Sequence, residues 1–172
     1  MKKLLFTGTL LVLFLSPPVL ASDWGCKVLL CLSNPAGPEA EPKCVPPIQQ
    51  LWHTLSHGGQ FPSCSMGSAG SGNYGGNTWA SGGYCAPGLV QLDPLDPTNP
   101  SLVSCNAQGA INVVVNGALT TRIWWGVSGQ PTTTVNESAA AGNISYDPTQ
   151  TASNAIAAIQ AQQQTTTYGN AP

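Results

Sequence analysis

The chain has 172 residues, with five basic and seven acidic side chains, a formal charge of −2 and charged residues at only 7%. So little positive charge argues against recognising nucleic acid through its phosphates, which needs clustered Lys and Arg. The length suits one domain with a modest core, and solubility must rest on Ser, Thr, Asn, Gln and Gly.

Lys2 and Lys3 form a basic start, and Leu4 to Leu15 an apolar run too short to anchor in a bilayer. Pro17 and Pro18 break that run, and Val19 and Ala21 supply the small residues a signal peptidase reads. Residues 1–21 are therefore predicted to be a secretion signal, cleaved before Ser22. No cysteine follows the cleavage site directly, which argues against a lipid anchor, and no other apolar run is long enough to cross a membrane. Once Lys2 and Lys3 are gone, Lys27, Lys43 and Arg122 face seven carboxylates, a formal charge of −4.

Six cysteines, Cys26, Cys31, Cys44, Cys64, Cys85 and Cys105, all follow the signal. An even count behind a secretion signal reads as disulfides, and no Cys-x-x-Cys favours zinc. The first helix is expected at Trp24 to Leu32, capped by Ser22 or Asp23 and stopped by Ser33-Asn34-Pro35-Ala36-Gly37-Pro38. The second is expected from Pro46 or Pro47 to about His57, since proline suits a helix's first turn. Its Ile48, Leu51, Trp52 and Leu55 form one apolar stripe, and Gly58-Gly59 ends it. If the two helices are antiparallel, their near ends and far ends meet. That predicts nested bonds, Cys31–Cys44 inside and Cys26–Cys64 outside.

Residues 65–83 are rich in Gly, Ser and Asn and read as a flexible loop, with Tyr74 and Trp79 as possible contacts. Cys85 and Cys105 flank a proline-bearing loop and are paired with each other. Ala110 to Val127 carries the clearest strand signal: Ile111, Val113 and Val115 alternate with Asn112, Val114 and Asn116. Asn116-Gly117 is a strong hairpin turn because both positions need positive φ. On the return strand, Trp124 and Trp125 face opposite sides. An outward tryptophan could anchor a partner, and Arg122, on Trp124's side, could pair with a carboxylate, stack on an aromatic or bind. The competing expectation is that the fold covers both faces. Residues 131–172 read as a polar tail, and Thr149 to Gln163 as a short helix or flexible segment, its thin apolar stripe favouring the latter.

Four patterns bear on chemistry. His53 and His57 lie four apart on one helical face, a spacing that can hold zinc, but no glutamate follows His53 and a third ligand would have to come from elsewhere. They read as a solvated pair. Asp93 and Asp96 lie in a turn-like DPLDP, and Glu39 and Glu41 in a proline-rich loop, none in an apolar setting. No Gly-x-Ser-x-Gly elbow and no phosphate-cradling loop with lysine occur. No catalytic residue, metal or cofactor is expected.

One resemblance stands out. Cys26-x4-Cys31-Leu32-Ser33-Asn34-Pro35-x-Gly37-Pro38, then Cys44-Val45-Pro46-Pro47-Ile48, Leu51-Trp52, Gly58-Gly59, and Phe61-Pro62-x-Cys64 resemble the TrbM/KikA family of conjugal transfer proteins. Val115-Asn116-Gly117 with Thr121-Arg122-Ile123-Trp124-Trp125 is similar to that family's second half, though less specific. The resemblance implies a periplasmic, non-enzymatic accessory of plasmid conjugation, working with protein components of a type IV secretion apparatus. It brings no catalytic residues. The long Gly/Ser insert, the few basic residues and the tail after Gln130 depart from the pattern and bear on partner choice.

The sequence thus predicts an α+β fold: a disulfide-stabilised domain over 22–130, with a stapled helical hairpin before a β-hairpin, then a flexible tail. Two alternatives stand beside this function, a small peptidoglycan-cutting envelope enzyme and an exported effector acting on neighbouring cells.

Overall fold

The computed structural model describes residues 23–64, 72–93, 95–96, 99, 103–144 and 146–168. The expected signal, its cleavage before Ser22, and residues 65–71 of the Gly/Ser stretch lie outside the described residues.

Helix α1 spans Asp23–Leu32 and α2 spans Val45–Ser56. Val28, Leu29 and Leu32 of α1 pack on Ile48, Leu51, Trp52 and Leu55 of α2, all buried. The connecting loop is tied by Cys31–Cys44, 13 residues apart, and the far ends by Cys26–Cys64, 38 apart. Both are the pairs expected from an antiparallel hairpin. The third bond, Cys85–Cys105, is also the expected one.

Strand β1 (Tyr74–Trp79) begins the sheet, and the short β2 (Val90–Gln91) and β3 (Ser104–Cys105) form a separate ribbon. Strands β4 (Gly109–Val115) and β5 (Ala118–Trp125) are the expected hairpin, and β6 (Thr134–Ser138) follows. The main sheet is antiparallel in the order β1-β4-β5-β6. Asn116 (φ 52°) and Gly117 (φ 77°) turn the hairpin with the left-handed geometry their sequence predicts. A register shift at Val113/Val114 leaves Thr120 as the extra residue, and its hydroxyl donates to the Val113 carbonyl at 3.0 Å.

The chain is α+β, as expected, with the sheet covered on both faces. Ile111, Val113, Ile123 and Trp125 meet the helical hairpin on one side. On the other, Ala110 and Trp124 meet Cys85, Ala86, Leu89 and Val127.

Two elements differ from the sequence reading. Tyr74 to Trp79, a loop by its sequence, is an edge strand, because Gly75 lies under α1: a Cβ there would come within 2.9 Å of Leu29 and Phe61 side-chain atoms. The polar segment after residue 131 contributes β6, paired with β5 from Thr121↔Ser138 to Trp125↔Thr134. Helix α3 (Pro148–Tyr168) then occupies the segment read as short helix or flexible tail, with Ile159 buried. Asp147 starts it, its Oδ1 accepting from the Thr149 N–H at 2.8 Å.

Candidate partner-binding groove

The inward stripe of α1 leaves its other face to Trp24, Lys27 and Leu30, at successive three-residue steps. In α2 the equivalent outward face begins with Pro46, Pro47 and Gln50. A groove of 880 Å³ is lined by these residues together with Lys43 and the bonded Cys31 and Cys44. Trp24 holds one end, its indole N–H donating to the Pro47 carbonyl at 3.1 Å. Leu30 is 57% exposed, a large apolar side chain left in water on the groove wall. Lys27, Lys43 and Gln50 are exposed beside it. A concave apolar surface bordered by cations is suited to hold another chain, and its volume falls within the range of ligand clefts.

The sequence-predicted site residues lie elsewhere. Trp124 and Trp125 are both fully buried, and Arg122 is buried too. Neither tryptophan projects outward, because helices cover one face of β5 and the Cys85–Cys105 region the other. Trp125 stacks near Trp52, centroids 6.4 Å apart, meets Trp79 edge-on at 5.6 Å, and donates to Asn77 Oδ1 at 2.6 Å. These three residues are interior groups, and a partner-anchoring role on a free surface does not fit them.

Arg122 centres a polar row across three strands, opposite Asn112 on β4 and Glu137 on β6. Its Nε donates to Asn112 Oδ1 at 2.9 Å, and its Nη1 lies 3.7 Å from Glu137 Oε2. The guanidinium also stands 5.2 Å over the Tyr146 ring. Trp124 Nε1 donates to Glu137 Oε2 and to the Tyr146 hydroxyl, each at 3.2 Å, and that hydroxyl donates to Glu137 Oε1. Burial first, then the hydrogen bond to the Glu137 carboxylate, pushes the Tyr146 phenol up to about 12. Every buried side-chain polar atom among the described residues has a partner. A closed network of this kind fastens β6 and Tyr146 to the sheet.

His53 and His57 are exposed with stacked rings 4.3 Å apart, and His57 Nδ1 lies 2.8 Å from the His53 carbonyl. Among the described residues no group of three His, Cys, Asp or Glu is placed to hold a metal. The carboxylates weighed for hydrolysis are dispersed. Glu39 accepts from Trp52 Nε1 at 3.1 Å, and Asp93 from the Leu95 N–H at 2.8 Å in a tight turn.

Sequence reasoning missed Lys27, Leu30, Lys43 and Gln50. The available signal was Leu30, an apolar residue off the stripe that Val28, Leu29 and Leu32 define. It also missed Glu137 and Tyr146, for which a lone arginine in an apolar strand was a cue. The three disulfides and the absence of free cysteines among the described residues suit an oxidising, extracytoplasmic compartment. No helix among the described residues is long and apolar enough to cross a membrane. No family model, curated protein or solved structure matches the chain.

Proposed function

We propose that this protein is an exported, non-enzymatic accessory of bacterial conjugation, aiding pilus or type IV secretion channel assembly in the periplasm. The observation that carries the reading is a coincidence of place. Cys31, Cys44, Pro46 and Pro47, part of the block that resembles TrbM/KikA proteins, also line the groove. Residues of that resemblance thus help to line a groove of the helical hairpin that also carries Leu30 and two lysines from outside the resembling block. The protein acts by holding a partner, and its disulfides keep the groove walls in register outside the cytoplasm. The scattered carboxylates, each in a turn or hydrogen bond, support a binding role over hydrolysis.

An in-frame deletion in a donor strain tests this, with transfer frequency measured with and without the intact gene restored. The expected result is a large drop that the gene reverses. Unchanged transfer and pilus production would overturn the reading.

A further inference from the structure

We propose that the groove receives the acidic loop of a second copy of this chain, so that copies associate head to tail. The proposal rests on reading the groove as a docking surface, and it names the occupant. The loop between β2 and β3 carries Leu92, Asp93, Leu95 and Asp96. Leu95 is 94% exposed, more than any other large apolar side chain among the described residues, and Leu92 is 42% exposed. Beside it, Asp93 Oδ1 accepts from the Leu95 N–H at 2.8 Å. The loop therefore sets an exposed apolar side chain beside acidic residues. The groove offers an apolar wall, Leu30, Pro46 and Pro47, and two lysines, Lys27 and Lys43. Of the three cations that follow the expected signal, Arg122 is committed inside the fold, so Lys27 and Lys43 supply the exposed positive charge.

Geometry makes the contact intermolecular. The groove lies on the helical layer, whereas the β2–β3 ribbon packs through Leu89, Val90 and Cys105 on the opposite face of the sheet. One copy's loop on the next copy's groove is a heterologous contact, which generates rings or open chains. An anionic membrane fits less well. Two lysines give weak surface attraction, and the chain from Ser22 onward carries a formal charge of −4.

Sedimentation of the full oxidised chain over a range of concentrations tests this, using wild type, Lys27→Glu/Lys43→Glu and Leu95→Ser. All three substitutions fall on exposed side chains, and unchanged thermal unfolding separates lost association from lost fold. Wild type is expected to form higher species that weaken as salt rises. Each variant is expected to weaken association about tenfold or more. Mixing the two variants is expected to give one-to-one pairs and nothing larger, because the Leu95→Ser chain keeps its groove and the lysine variant keeps its loop. A chain monomeric at all concentrations, association that neither variant alters, or a mixture that forms no pairs would overturn the proposal. So would binding to phosphatidylglycerol vesicles without self-association. A monomeric protein whose deletion still abolishes transfer removes this inference alone. A self-associating protein whose deletion leaves transfer intact removes the conjugation reading alone.

Discussion

The two faces of the sheet are held in different ways. The helical face is mainly apolar, with Trp52, Ile111, Ile123 and Trp125 fully buried or nearly so, and two disulfides staple the helices above it. The opposite face has one disulfide and organises around charge: Arg122, Glu137, Tyr146 and the indole of Trp124. The first is stabilised by burial and by restriction of the unfolded chain, both largely indifferent to pH. The second depends on every partner being present, since a buried charge without its mate is expensive. The difference also separates roles. The groove proposed to hold a partner is lined by residues of the stapled layer, while the charged face holds β6 and the approach to α3.

Substitutions on each face sharpen this contrast. Trp125→Ala empties the centre of the apolar face and is expected to lower unfolding free energy by about 3–5 kcal/mol in urea titration. A loss below about 1 kcal/mol would mean that the helices do not close over β5 as described. Replacing Cys26 and Cys64 by serine removes the 38-residue closure. Loop-closure entropy gives that bond about 4 kcal/mol, and the 20-residue Cys85–Cys105 closure about 3 kcal/mol. The helical staple should thus be the costlier one to lose by the same measurement.

On the charged face, Glu137→Leu leaves Arg122 buried without its carboxylate and is expected to cost about 3 kcal/mol, with Arg122→Leu/Glu137→Leu recovering most of it. A double variant no more stable than the single one would contradict the pairing. The smallest effect is a pH dependence. Tyr146 titrates at about 12 in the fold against 10.0 in the unfolded chain. Its contribution is whole below pH 10. As pH rises towards 12 the unfolded chain loses this proton first, so stability falls. Tyr146→Phe should remove that part of the decline, read as the difference between the two proteins' unfolding curves.

The same contrast explains what was legible in the sequence. The helical hairpin and its bonds could be read because apolar periodicity, proline at a helix start and cysteine placement agree. The β4–β5 hairpin was legible from alternation and Asn116-Gly117. β1 was not, because Gly75 and Gly76 suggest loop when Gly75 in fact allows α1 and Phe61 to approach. β6 was not, because Glu137 is buried by pairing with charge while Val135 stays partly exposed, so alternation carries no hydrophobic signal. The burial of both Trp124 and Trp125 was one of two weighed outcomes, and it needed the far-face cover from Cys85, Leu89 and Tyr146, which lie distant in sequence. The groove was invisible because its lysines belong to separate elements that only the fold brings together.

The groove on the helical layer is proposed as the working face, and the charged network as structural. Transfer frequency from a deletion donor, restored with wild type, Lys27→Glu/Lys43→Glu or Tyr146→Phe, tests it most directly. The expected result is restoration by wild type and Tyr146→Phe, and about tenfold or greater loss with the lysine variant at equal protein level. Full restoration by the lysine variant would contradict the account.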